Sequence, residues 1–340
     1  MLRWFLGLIP IGLLLPLVLA AGANKVSSAP EDLRSLYKRP AQIPFPASNP
    51  YSESKAKLGQ TLFFDPILSG SRTRSCASCH SPSLSWTDGL PLAIGENQKP
   101  LKLKSPTLLN IAWIEPLGWD GHFRTLESVA FGPIGSVSNM NSSEKLVIER
   151  LSAIPGYVKE FNDAFGAGPI TKEKVELALA TYERTIVSGE APFDRWVNGD
   201  DQAISNDAKS GFALFNGKAR CSSCHSSWLF TDNSFHDIGV ARASDEGRGK
   251  YFPSSVKLKH AFKTPTLRDI ARRAPYMHDG SLKNLNAVID LYNRGGVNRP
   301  SRSAQIVPLQ LTETEKKELI AFLDTLTSPA KPSIVPVFPR

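Results

Sequence analysis

The sequence predicts a mainly α-helical protein built from two copies of one domain, packed as a pseudo-symmetric pair. Three observations carry this: a five-residue motif that occurs twice, an ungapped internal repeat, and helical periodicity with weak strand signals. The motif reads Cys76-Ala77-Ser78-Cys79-His80 and again Cys221-Ser222-Ser223-Cys224-His225, using all four cysteines of the chain. Cys-x-x-Cys-His attaches c-type haem: two thioethers fix the vinyl groups and the histidine gives iron an axial nitrogen. A four-thiolate zinc site would need both pairs to meet, and gives no reason for either histidine. A thioredoxin-like motif would use one pair at a strand-to-helix junction. The expected cofactors are two covalently bound haem c groups, and no cysteine remains for a disulfide.

The repeat lies downstream of each motif. Residues 105–129 align with 264–288 at one offset, 159, as from Pro106 to Pro265. Thr107, Leu108, Ile111, Ala112 and Pro116 match Thr266, Leu267, Ile270, Ala271 and Pro275. Asp120-Gly121 matches Asp279-Gly280. Upstream, Cys76–Asp88 resembles Cys221–Asp232, each ending in Thr-Asp. Each half is thus one haem-binding domain, and the duplication predicts haems facing a shared interface.

The N-terminus reads as an export signal. Arg3 precedes an apolar run from Trp4 to Ala21, then Ala21-Gly22-Ala23, predicting cleavage after Ala23 (signal 1–23). Haem c is attached outside the bacterial cytoplasm, so the expected location is the periplasm. An uncleaved anchor is the alternative, since the run approaches the lower limit for spanning a bilayer. Beyond it no segment is long and apolar enough to span. Roughly 315 residues remain, a length for two domains. They divide near Asn198-Gly199-Asp200-Asp201, into 30–198 and 199–330. The net charge of +8 is dispersed, with no basic run longer than Arg272-Arg273 or Lys316-Lys317. That surface suits an acidic electron-transfer partner and excludes a nucleic-acid role for an exported haem protein.

Thr171 predicts the cap of an amphipathic helix running through Val187, with Val175, Leu179, Tyr182 and Ile186 on one face. Asn206 starts another, ending near Gly217. Thr312 and Glu315 form a capping box before Leu319, Ile320 and Leu323. Leu285, Val288, Ile289 and Tyr292 share a helix face that stops at Gly295-Gly296. The Pro-rich stretches 40–50 and 329–339 predict extended, poorly packed ends. At the repeat offset Tyr292 corresponds to Pro133. Proline offers iron no donor, whereas a phenolate is a hard anionic ligand suited to ferric haem. A tyrosine on an apolar face is ordinarily core, so the residues alone leave its role open.

These residues resemble the bacterial di-haem cytochrome c peroxidase and MauG family. The likeness runs from about Gly59 to Leu326. It rests on both haem motifs, Trp119-Asp120-Gly121, Gly132-Pro133, the Phe262–Arg268 and Pro275–Gly280 segments, and Tyr292–Gly296. The resemblance implies that Tyr292 is the second axial ligand of haem two, where the peroxidases have methionine and MauG has tyrosine. The peroxidases also carry a latch histidine sixteen residues after the first haem histidine. Glu96 stands there, so no latch is expected.

The resemblance further implies that haem one, on His80, is open to peroxide while haem two, on His225 and Tyr292, is closed and stores oxidising equivalents. Trp119 matches the inter-haem tryptophan, and His278, its repeat mate, a histidine near haem two. The family's distal glutamate and glutamine become Asn139 and Val129, neither of which transfers a proton readily. A family calcium site is doubtful, because its asparagine corresponds to Lys104, whose ammonium could stand in for the cation. His122, His236 and His260 are not expected to bind iron. The implied function is a periplasmic di-haem oxidoreductase that reduces hydrogen peroxide. Its electrons come from a redox protein (a small cytochrome c or cupredoxin) or from a protein side chain being oxidised. A di-haem electron-transfer cytochrome is the alternative.

Overall fold

Two crossed helix pairs organise the chain. The structure, a computed structural model, describes residues 1, 31–330 and 332–340. Apart from Met1, the expected signal therefore lies outside the described residues. Helix Glu53–Phe64 starts where the Ser52 hydroxyl accepts from Lys55 N, and Lys172–Arg184 where Thr171 accepts from Lys174 N. The latter ends before Val187, because Thr185 and Ile186 turn back onto Tyr182 and Glu183. These two helices cross at Gly59, where an added Cβ would sit 2.0 Å from Ala178 O. Only a residue without a Cβ permits so close an approach.

The second pair repeats the arrangement. Helix Asn206–Asn216, capped by Ser205, crosses Glu313–Asp324, which carries the expected Thr312/Glu315 capping box. Gly211 is the contact, its added Cβ falling 2.0 Å from Glu318 O. Strand content is small: Phe235–His236 pairs antiparallel with Phe262–Lys263. Among the described residues no helix is long and apolar enough to cross a membrane.

Each pair nucleates its own core. The first gathers Leu58, Leu62, Phe63, Val175, Leu179 and Tyr182, the second Phe212, Phe215, Leu319, Phe322 and Leu326. The cores also exchange material. Leu229, just after the second motif, is buried in the first core, and Trp228 meets Trp113 edge to face at 5.0 Å. In return Tyr37, Phe193 and Trp196 are buried in the second core, although they precede residue 198. The Pro-rich ends are extended and mostly exposed, as expected, and are anchored at a few points. Asn49 is 1% exposed, Phe338 packs on the first core, and Gly156 N donates to Arg340 O.

The repeat survives in backbone detail. The bridge Leu117↔Phe123 has its counterpart in Tyr276↔Leu282. Lys104 N donates to His278 O at 2.8 Å, and the mate of Lys104, Lys263, donates to Trp119 O at the same distance. Trp119 and His278 therefore face each other across a local two-fold, ring centroids 6.5 Å apart.

Candidate functional site

The second motif opens into an apolar cavity that holds about 1380 Å³ of empty space, open mouth included. Cys221, Cys224 and His225 line it together with Tyr292, Leu285, Val288 and Ile289. The latter four stand on helix Leu285–Arg294, which Gly295 ends in the left-handed conformation (φ 82°). The expected face is thus turned toward the motif. His225 Nδ1 lies 2.8 Å from Phe230 O. A carbonyl only accepts, so Nδ1 carries the proton and Nε2 keeps its lone pair for a metal. Burial lowers the His225 pKa, which keeps the ring neutral, and raises that of the Tyr292 phenol.

The cavity's titratable side chains, apart from cysteine and tyrosine, are basic. They are Arg220, His225, His236, His260, Lys263 and His278, with no Asp or Glu among the described lining residues. An apolar slot with a basic rim fits a flat, apolar macrocycle that carries carboxylates. Lys263 Nζ has one partner, Pro116 O at 2.8 Å, and burial brings its pKa down to about 8. His236 pairs with Asp232 at 2.8 Å, and that bond takes it up to about 9. His260 Nδ1 is 2.7 Å from Asp245 O, while His122 stacks on Tyr251.

Trp119 also lines this cavity, its Nε1 donating to Lys104 O at 2.8 Å. His278 is 3% exposed and stacks on Phe262 with centroids 3.7 Å apart. Both central rings are therefore held, Trp119 by its hydrogen bond to Lys104 and His278 by stacking and by Asp245 Oδ2, 3.4 Å from its Nε2.

Around the first motif, His80 Nδ1 lies 3.3 Å from Trp86 O and 3.3 Å from the Ser105 hydroxyl. That hydroxyl donates to Cys79 O, so it accepts from the ring. Cys76, Trp86, Phe123, Val129 and Phe131 pack against the first core. Pro133 lies inside the short helix Phe131–Gly135. Asn139 follows in a turn, half-buried, and among the described residues its carboxamide has no hydrogen-bond partner. Cys76 packs on one core and Cys221 on the other. Burial raises both thiols, against the thiolate character that zinc requires. A shared zinc site does not fit.

Sequence reasoning missed three buried charged side chains. Glu183, on helix Lys172–Arg184, has its carboxyl raised to about 8 by burial, despite Arg184 beside it. Lys263 was hidden by its ordinary place in a loop motif. Glu96 was noted only as a missing latch, yet it is 7% exposed and its Oε2 has no partner. Lys104 also bears on calcium. It is 5% exposed, its ammonium donates to Leu90 O at 3.0 Å, and burial lowers its pKa, with Asp88 opposing and Arg273 adding to the fall. A buried ammonium beside a buried guanidinium does not suit a divalent cation.

Comparison with known proteins bears on the same elements. The family described as di-haem cytochrome c peroxidase matches residues 53–202. The methylamine utilization protein MauG of Methylorubrum extorquens is 50% identical, covering 90% of this chain and 88% of its own length. That of Methylophilus methylotrophus is 47% identical over 94% of this chain and 96% of its own. A crystal structure of a MauG-like protein associated with microbial copper homeostasis superposes with a TM-score of 0.80. It has 30% identity and covers 86% of this chain and 95% of that one.

Proposed function

The chain belongs to the di-haem cytochrome c peroxidase and MauG family, and on that footing we propose a division of labour between its halves. It is a MauG-like di-haem oxidoreductase. Two cytochrome c-like domains, packed as a pseudo-symmetric pair, would each hold one haem c. Cys76, Cys79 and His80 would hold the first. Cys221, Cys224, His225 and Tyr292 would hold the second. Bound there, the irons supply the redox couples for reducing hydrogen peroxide and for passing electrons between halves.

The protein's own contribution is asymmetry. The observation that carries the reading is that Tyr292 and His225 line one apolar cavity, while Pro133, the repeat mate of Tyr292, has no donor to offer a metal. This would close one haem and leave the other open. Trp119, held by Lys104 and Lys263 between the halves, is the relay, and His278 orders its surroundings. Asn139 can hydrogen-bond peroxide but not shuttle its proton. Electrons come from a periplasmic redox protein, or from a protein side chain that is itself oxidised. The tyrosine ligand favours the latter. The loss of acid–base groups at positions 139 and 129 supports a second reading, an electron-transfer cytochrome with little peroxidase activity. Lys104 in place of a metal-binding side chain makes the interface independent of calcium.

Electron paramagnetic resonance of the ferric holoprotein tests the asymmetry. One high-spin and one low-spin signal are expected, and Tyr292→Phe should remove the low-spin tyrosinate signal alone. Survival of that signal would assign another ligand to the second haem.

A further inference from the structure

Glu96 sits at the tip of a narrow hairpin that buries it beside the first haem motif. Leu101 N donates to Ala93 O at 2.7 Å and Gly95 N to Lys99 O at 2.8 Å. Asn97 and Gln98 both turn left-handed (φ 56° and 58°) to close the tip. One side of the hairpin touches the motif: Cys79 Sγ lies 3.8 Å from Ile94 O, to which the Arg74 guanidinium also donates. The other side touches the Asn139 turn. Glu96 N donates to Ser138 O at 2.9 Å, and an added Cβ on Gly95 would fall 1.9 Å from that same oxygen. The hairpin backbone is thus wedged between a haem-attaching cysteine and the residue before Asn139, and it carries a Glu96 side chain that is 7% exposed.

Such burial is costly unless the carboxyl has a partner. Among the described residues it has none: neither oxygen is hydrogen-bonded, and Oε2 is fully enclosed. A buried polar atom left without a partner calls for a reason, and a catalytic role is one. The position across the hairpin, Asn139, needs a proton-transferring neighbour and cannot be one.

We propose that Glu96 is the acid–base group of the peroxide-reactive haem, supplying from a different loop the carboxylate that Asn139 lacks. It accepts one proton from the peroxide oxygen bound nearest the iron and returns it to the other oxygen, which leaves as water when the O–O bond breaks. Two electrons from the donor and two protons from solvent reduce the remaining oxygen to a second water. The sum is H2O2 + 2 e− + 2 H+ → 2 H2O, and Glu96 ends as it began. The same group takes the proton from hydrogen cyanide as cyanide binds.

This rests on the open first haem proposed above, and the two can fail separately. In the ferric holoprotein, Glu96→Gln should leave both haem spectra intact and slow cyanide association. It should also slow the stopped-flow reaction with peroxide by about 10²–10⁴-fold. Glu96→Asp should recover part of both rates, and Asn139→Ala should cost far less than Glu96→Gln. Should the glutamine variant not fold, the wild-type peroxide step in deuterium oxide decides: a slower rate supports the proposal and an unchanged one overturns it. Wild-type rates in Glu96→Gln would overturn it too, as would loss of the high-spin signal, which would make Glu96 a ligand. A wild-type protein that binds neither cyanide nor peroxide would instead refute the open haem.

Discussion

Buried charge is the recurrent theme at the residue scale, and Glu183 shows what it does to stability. Burial raises its carboxyl from 4.5 to about 8, with Arg184 opposing and Glu127 adding to the rise. A folded-state pKa above the unfolded one means that the fold prefers the protonated acid. The associated stability is complete below about 4.5 and lost as pH climbs through about 8, because the unfolded chain then binds fewer protons. Urea midpoints should therefore fall between pH 5 and 8, and Glu183→Gln should flatten that decline. An equally steep decline in the variant would put its origin elsewhere. Nothing in sequence pattern separates Glu183 from a surface glutamate, since helix periodicity assigns a face but not what lies across it. Glu96 was opaque for a related reason: its burial arises from contact with Ser138, far along the chain.

Among the elements, the two helix crossings determine whether each motif is presented at all. Gly59 and Gly211 bring backbones together where a methyl group would enter a carbonyl's volume. Gly59→Ala or Gly211→Ala should each destabilise by about 3 kcal/mol, near the upper end for overpacking. Thermal denaturation followed at the Soret band would measure this. A loss below about 0.5 kcal/mol would mean that the helices slide apart freely. The capped helices were legible from sequence because Thr171 and Thr312 signal through neighbours three residues away. The anchor points at Asn49 and Phe338 were not, because these residues find partners that no local pattern announces.

For the molecule as a whole, the constant offset of 159 foretold the local two-fold, and the structure adds how it is fastened. Lys104 and Lys263 occupy equivalent places, each donating its backbone N–H to the central residue of the other half. A fixed ammonium in each needs no exchangeable metal to hold the rings in register. Prolonged treatment with a calcium chelator should leave both haem spectra and the melting temperature unchanged, and metal analysis should find no stoichiometric calcium. Retained calcium, or spectra that shift with the chelator, would overturn this. The exchanged side chains have a consequence of another kind. Recombination between related genes at the exposed Asn198–Asp201 turn would pair Tyr37, Phe193 and Trp196 from one ancestor with a core shaped by another. It would likewise set Trp228 and Leu229 against a foreign first core. The duplicated halves have lost their independence as units of inheritance, and selection must accept or reject them together.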